Sequence, residues 1–254
     1  MKYKNYYRPK TLEEAYSLAQ NRNTVILGGN FWLHQQSRSC SSVIDLSDLG
    51  LDGIAETENG ICIGAYTSLR KTETEPLLCT YAGDAFHDAL SPIVGVQFRN
   101  TATIGGSVCG RFGFSDVLTL LSALDASVVF FHAGMIPVST YAKEGKKNDI
   151  LTNIFLPKEK PDSLRYIAQR NQSADFPVLT AAVCRRGDKL TVSVGARPLR
   201  AETLVFPLTE EKCSAEEIAE KTAGALLFGS NRMASAEYRR HLCRVLVSRA
   251  IASM

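Results

Sequence analysis

Two glycine pairs at the ends of short apolar runs constrain this chain more than any other feature. The first lies in Val25-Ile26-Leu27-Gly28-Gly29-Asn30. The second lies in Arg99-Asn100-Thr101-Ala102-Thr103-Ile104-Gly105-Gly106-Ser107, with Asp116 and an apolar run from Val117 to Leu124 beyond it. Adjacent glycines admit a backbone or a ligand where a Cβ would stand in the way. Their amides, with the side chains of Asn30, Thr103 and Ser107 beside them, are the groups that hold a phosphate. A single Gly-Gly pair reads equally as a closed turn, but two in comparable strand-to-loop positions point to a cofactor cleft. Neither G-x-G-x-x-G nor G-x-S-x-G occurs, and no Walker lysine follows either pair. These gaps argue against a Rossmann fingerprint, nucleotide hydrolysis and serine-hydrolase chemistry.

Composition narrows the partners. The net charge of +3 on 254 residues is small, and the basic clusters (Lys146-Lys147, Arg185-Arg186, Arg239-Arg240) are short and scattered. No nucleic-acid stripe is expected from them. Nowhere is an apolar run long enough to span a bilayer, and the start, Met1 to Pro9, lacks a signal-like apolar segment, so a cytoplasmic protein is expected. Seven cysteines without a C-x-x-C pair, and four isolated histidines, encode neither a disulfide framework nor a metal site. No acid/base or nucleophile pair stands out, so no catalytic side chain is assigned, as suits a protein whose cofactor carries the chemistry.

Thr11-Leu12-Glu13-Glu14 has capping-box spacing and predicts a short helix before a strand at Val25 to Leu27, with a second strand at Val43 to Leu46, a small βαβ-like opening. Strands follow at Ile61 to Ile63, Ser127 to His132 and Ile150 to Leu156, with a helix over Pro76 to Leu90 and another over Val117 to Leu124. Asp116 either caps that last helix or contacts a ligand hydroxyl. Phe31 and Trp32 either fill the core or pack on a flat cofactor ring. Lys158 to Asp162, charged and proline-containing, marks a boundary. Beyond it come three strand-like runs, at Leu164 to Gln169, Val178 to Cys184 and Leu190 to Val194, and helices near Ser214 to Leu226 and Ser235 to Ala252.

Several strings, in order along nearly the whole chain, resemble the FAD-binding medium subunit of the molybdenum hydroxylases, the xanthine dehydrogenase and carbon monoxide dehydrogenase group. They are Leu27-Gly28-Gly29-Asn30 in place of A-G-G-T, Ile44-Asp45-Leu46-Ser47, Ile63-Gly64-Ala65-Tyr66-Thr67, Gln97-Phe98-Arg99-Asn100 leading into Ala102-Thr103-Ile104-Gly105-Gly106, Leu124-Asp125-Ala126, and Ser235-Ala236-Glu237-Tyr238-Arg239-Arg240. The R-N-x-x-T-I-G-G string is the specific one. The resemblance implies an α+β fold: a two-lobed FAD-binding domain over 1–157 (a small lobe to about 55, a larger one from 56), then a smaller domain of antiparallel sheet plus helices over 158–254. It implies FAD between the lobes, its diphosphate on the two glycine segments. Val25, Ile26, Leu27, Gly28, Gly29, Asn30, Phe31 and Trp32 would line one side, and Ala102, Thr103, Ile104, Gly105, Gly106 and Ser107 the other. Asp116 would lie near the adenosine or ribityl part, Ile93 and Val94 near the isoalloxazine, and Leu151 or Thr152 on another wall.

The resemblance also implies partners: a large subunit with the molybdenum cofactor, a 2Fe–2S subunit, and NAD as one electron acceptor. A purine or xanthine-type substrate is the expected one for the complex. This chain departs from the family pattern at Ser107 (usually Asn), at Gly110 to Asp116 (G-R-F-G-F-S-D for N-A-S-P-A-S-D), in a shorter Val138 to Asp149 segment, and where a lysine is expected near Tyr166 or Ile167, with Arg170 and Asp175 keeping the following pattern approximately. Two other readings stand beside it, a stand-alone FAD oxidoreductase and a flavin-less structural or assembly subunit.

Overall fold

The computed structural model describes residues 1–37, 39–145, 148–208 and 214–254. Lys146, Lys147 and Cys213 of the sequence reading lie outside these residues. Three sheets follow one another along the chain. The first is parallel, in the order β1 (Lys2–Tyr7), β3 (Ser39–Asp45), β2 (Thr24–Leu27). Strand β1 is absent from the sequence reading because its K-Y-K-N-Y-Y has no apolar alternation and all six residues are exposed. Pairing with β3 alone makes it a strand. Between β1 and β2 runs α1 (Leu12–Ala19), capped by Thr11, whose hydroxyl accepts from the Glu14 amide at 3.2 Å. The reciprocal half of the expected box is displaced by one residue: the Glu14 carboxylate accepts from the amide of Lys10, not of Thr11. Where β2 ends, the chain passes through Gly28-Gly29-Asn30 into a one-turn helix, α2 (Phe31–Gln35).

The second sheet is antiparallel, ordered β4 (Ile54–Thr57), β5 (Gly60–Gly64), β8 (Leu151–Pro157), β6 (Ser127–Phe130), β7 (Gly134–Pro137). A run of short helices joins β5 to β6: α3 (Leu69–Thr74), α4 (Pro76–Ala82), α5 (Ala85–Leu90), α6 (Val96–Thr101), α7 (Ile104–Gly110) and α8 (Asp116–Ala123), with α9 (Val138–Glu144) following β7. The single helix expected over Pro76 to Leu90 is two, because Gly83 takes φ +60° and ends α4. The glycine segment around Gly105 and Gly106, expected to be a loop, is the start of α7. Helix α8 is buried on all sides, its eight residues among the least exposed in the chain. Its N-cap is Ser115, whose hydroxyl accepts from the Leu118 amide at 3.1 Å, so Asp116 is the first helical residue and not the cap.

The third sheet is an antiparallel meander, β9 (Ser163–Arg170), β10 (Pro177–Arg186), β11 (Lys189–Gly195) and β12 (Glu202–Pro207), backed by α10 (Ala215–Ala225) and α11 (Ala236–Ala252). Ser214 and Glu217 close a full capping box on α10. Strand β10 is buried from both sides, which explains its mostly apolar run, interrupted by Thr180 alone from Pro177 to Cys184. Ala182 and Cys184 join the core around α8, while Ala181 and Val183 join the core under α11. The expected α+β architecture is present. The arrangement also carries the turn between β9 and β10 to the N-terminus of α8, and that approach makes the cleft described next.

Candidate functional site

A cleft of about 590 Å³ opens where the end of β2, the α6–α7 corner, the start of α8 and the β9–β10 turn converge. Its size suits a cofactor of moderate length. Thirteen of the residues predicted from the sequence line it: Val25, Ile26, Gly28, Asn30, Phe31, Trp32, Ile93, Val94, Ala102, Thr103, Gly106, Ser107 and Asp116. Leu27, Gly29, Ile104, Gly105, Leu151 and Thr152 do not. Leu27 and Ile104 are buried in hydrophobic cores. Leu151 is also core, and Thr152 bonds the Val129 carbonyl at 3.0 Å. Thr152 is tied to the head of α7 through Ala65, whose amide donates to the Thr152 carbonyl and whose carbonyl accepts from Gly105.

The glycines act differently from the sequence expectation. At the head of α7 the amides are consumed within the protein: Ile104 donates to Thr67 O at 2.9 Å, Gly105 to Ala65 O at 2.8 Å, Gly106 to Thr103 Oγ1 at 3.0 Å and Ser107 to Thr103 O at 3.0 Å. A helix start satisfied in this way has no amide left to turn toward a phosphate. What these glycines supply is close passage of one backbone over another. A Cβ on Gly28 would stand 2.9 Å from Gly106 Cα, and one on Gly105 would stand 2.6 Å from Ala65 O. Gly29, at φ +76°, has the carbonyl oxygen of Thr101 only 1.8 Å from where its Cβ would be. The two glycine pairs thus lock the opposite walls of the cleft together. The start of α2 contrasts with α7: Asn30 sits in the left-handed region, φ 60°, and its side chain makes no cap bond.

Aromatic rings dominate the far side. Trp32 meets Phe112, Phe114 and Phe176 edge-on at centroid distances of 5.7, 6.1 and 5.9 Å. Phe112 and Phe114 stack at 5.1 Å, and Phe114 lies 4.4 Å from Phe176. Phe31 packs edge-on against Phe98 at 5.1 Å. Two polar atoms in this lining, Asn30 Oδ1 and Trp32 Nε1, are buried without a partner among the described residues. A buried polar group left unpaired costs about 1–3 kcal/mol, a cost that a hydrogen-bonding ligand reaching these atoms would relieve. The F-x-F spacing at 112 and 114 was visible in the sequence only as a departure from the family pattern, and Phe176 comes from beyond the expected domain boundary.

Arg170 is the one cationic side chain lining the cleft among the described residues. Its guanidinium bonds Asp116 Oδ1 and the Asp175 carbonyl, each at 2.5 Å, and the Tyr166 hydroxyl also donates to Asp116. Burial pushes the Asp116 carboxyl upward, against the lowering influence of Arg170 and Tyr166. Burial first, and then the Asp116 charge, push the Tyr166 hydroxyl well above its usual range. Asp116 is therefore committed to holding β9 and the β9–β10 turn against α8 while it also reaches the cleft surface. A second recess of about 420 Å³, lined by Asp88, Gln169, Asn171, Gln172 and Ser173 among others, adjoins the cleft and shares Pro92, Arg170 and Ala174 with it. No cluster of three or more metal-ligating side chains occurs among the described residues, and none of their helices is long and apolar enough to cross a membrane.

The described residues fit a flavin dinucleotide: a cleft of cofactor size, rings for flat heterocycles, an uncapped turn at Asn30, and two orphaned polar atoms. The family profile of the FAD binding domain in molybdopterin dehydrogenase matches residues 1–159. The Escherichia coli K12 protein YgfM is 26% identical over 96% of this chain and 93% of its own length. The xanthine dehydrogenase FAD-binding subunit of Escherichia coli O157:H7 is 26% identical over 97% of this chain and 94% of its own. A chain of the reconstituted CO dehydrogenase of Oligotropha carboxidovorans superposes with a TM-score of 0.86 at 20% identity, covering 98% of this chain and 96% of that one.

Proposed function

Because the chain belongs to the family of FAD-binding domains found in molybdopterin dehydrogenases, we propose that it is the flavin subunit of a molybdenum hydroxylase complex, receiving electrons from a 2Fe–2S partner and passing them to NAD or another acceptor. FAD is its cofactor, and the cleft between the glycine-locked walls is the proposed seat. Bound FAD supplies a centre that takes electrons singly or in pairs and so joins a one-electron carrier to a two-electron acceptor.

The residues of this chain bind, orient and exclude water. In this reading the diphosphate lies along the Gly28 to Trp32 segment, because the amides at the head of α7 are already taken. Asn30 Oδ1 and Trp32 Nε1 gain partners from the ligand, and Phe112, Phe114 and Phe176 keep water from a ring at their end. The adjoining polar recess beside Arg170 is the proposed approach for the acceptor. The proposal includes a cytoplasmic complex in which 1–157 binds FAD and 158–254 closes the cleft through Phe176 and Arg170. A xanthine-type substrate is one choice; relatives and neighbours that act on xanthine or carbon monoxide keep the substrate class open, since substrate would contact another subunit.

The single observation that carries this reading is the pair of orphaned polar atoms, Asn30 Oδ1 and Trp32 Nε1, inside an aromatic cleft of cofactor size. The test is isolation from the native host. Recovery of a yellow complex containing molybdenum and iron, whose flavin is bleached by NADH, supports the full proposal. Recovery of the chain alone, free of both metals, overturns the electron-relay role, and a flavin that NADH leaves oxidised removes NAD as acceptor.

A further inference from the structure

The arginine of the R-N-x-x-T-I-G-G string does not line the cleft. Arg99 turns away from it, only 5% exposed, while its neighbour Phe98 lines it. Arg99 Nε bonds Glu73 Oε2 at 2.7 Å, and its NH1 donates to the carbonyl of Ile93 at 3.1 Å. Glu73 is itself buried and takes a second arginine, Arg70, on Oε1 at 2.7 Å. The turn held by that carbonyl needs an anchor. Val94, β-branched and 53% exposed, sits at φ +51°, where such residues are strained. A conformation of this kind persists only where its surroundings over-determine it.

We infer that Arg99, locked by Glu73, is a positioning residue that fixes the Ile93–Val94 wall of the cleft and so sets the affinity for FAD without touching it. The inference rests on the cleft being the FAD site. One short helix, α6, ties the parts together: Phe98 meets Phe31 of the opposite wall, Arg99 reaches back to α3, and Thr101 packs over Gly29. Arg70 shares the same carboxylate but has no bond to the Ile93 turn, and this separates holding the carboxylate from holding the wall.

The experiment uses the full chain stripped of flavin, with FAD uptake read by fluorescence and folding by thermal melting. Glu73→Leu with Arg99→Met removes both charges together, which spares the fold the cost of one stranded charge. That double variant is expected to melt close to wild type and to bind FAD at least tenfold more weakly. Arg99→Lys keeps a cation near Glu73 but cannot span carboxylate and carbonyl at once. It is expected to show the same direction of loss, and it decides the matter if the double variant aggregates. Arg70→Ala loses a partly exposed pair that the double variant also loses, and it is expected to melt close to wild type as well, with FAD affinity within twofold of wild type. Undiminished FAD affinity in the double variant or in Arg99→Lys overturns the inference, as does an Arg70→Ala loss equal to theirs. A wild-type chain that takes up no FAD overturns the reading of the cleft and this inference with it.

Discussion

Replacing Gly29 by alanine tests the claim that the glycine pairs lock the cleft walls. The new Cβ would lie 1.8 Å from the Thr101 carbonyl oxygen. The two segments must then part by roughly 1.5 Å to regain ordinary contact. Overpacking of this kind costs about 1–3 kcal/mol, and a non-glycine residue in the left-handed region costs about 1–3 kcal/mol more. Gly50→Ala is the matched control: it shares the left-handed backbone, φ +62°, but nothing lies within 4 Å of its added Cβ. Urea unfolding should therefore place Gly29→Ala about 1–3 kcal/mol below Gly50→Ala, the overpacking share alone. FAD affinity should fall about tenfold for each 1.4 kcal/mol of that difference that strains the bound state, and should not change in Gly50→Ala. Coincident unfolding curves, or wild-type FAD binding by Gly29→Ala, would refute the reasoning.

Three further outcomes are expected. Phe114→Ala and Phe176→Ala should each weaken FAD binding, the ring contacts alone being worth about 0.5–1.5 kcal/mol; equilibrium titration checks this, and unchanged affinity in both removes the aromatic end from the site. Asp116 has a carboxyl raised above its ordinary 3.8 by burial, so its contribution is fully present below that value and fades as pH rises through the folded value. The stability of wild type relative to Asp116→Asn should accordingly decline from pH 3 toward neutrality, and a rising difference contradicts the direction assigned. Cys109→Ser, which alters one atom of the lining, should leave flavin retention after gel filtration intact.

Local signals made much of the fold legible. Thr11 and Ser214 announced α1 and α10 because a capping side chain and its partner lie within one turn. The buried strand β10 was visible as a mostly apolar run. The glycine pairs lie at the cleft, Gly28 and Gly106 in its lining, but they act by close passage of backbones and not by offering free amides. Helix α7 begins with Ile-Gly-Gly, poor helix formers, and exists because Thr67 O and Ala65 O, distant in sequence, receive its first amides. Strand β1 likewise depends wholly on its partner. The aromatic wall was hidden because Phe114 meets Phe176 only once β9 and β10 fold back on α8, and no periodicity records that contact. Asp116 stands out in the sequence by its place before the apolar run, yet its partners Tyr166 and Arg170 lie 50 and 54 residues onward.

The chain's only tryptophan, Trp32, stands in the cleft with an Nε1 unpartnered among the described residues, so titration of flavin-free protein with FAD reads the site directly. Saturable quenching of its emission at one FAD per chain, weakened in Gly29→Ala, is the predicted result. Emission indifferent to FAD, from a protein that stays colourless, would contradict the account.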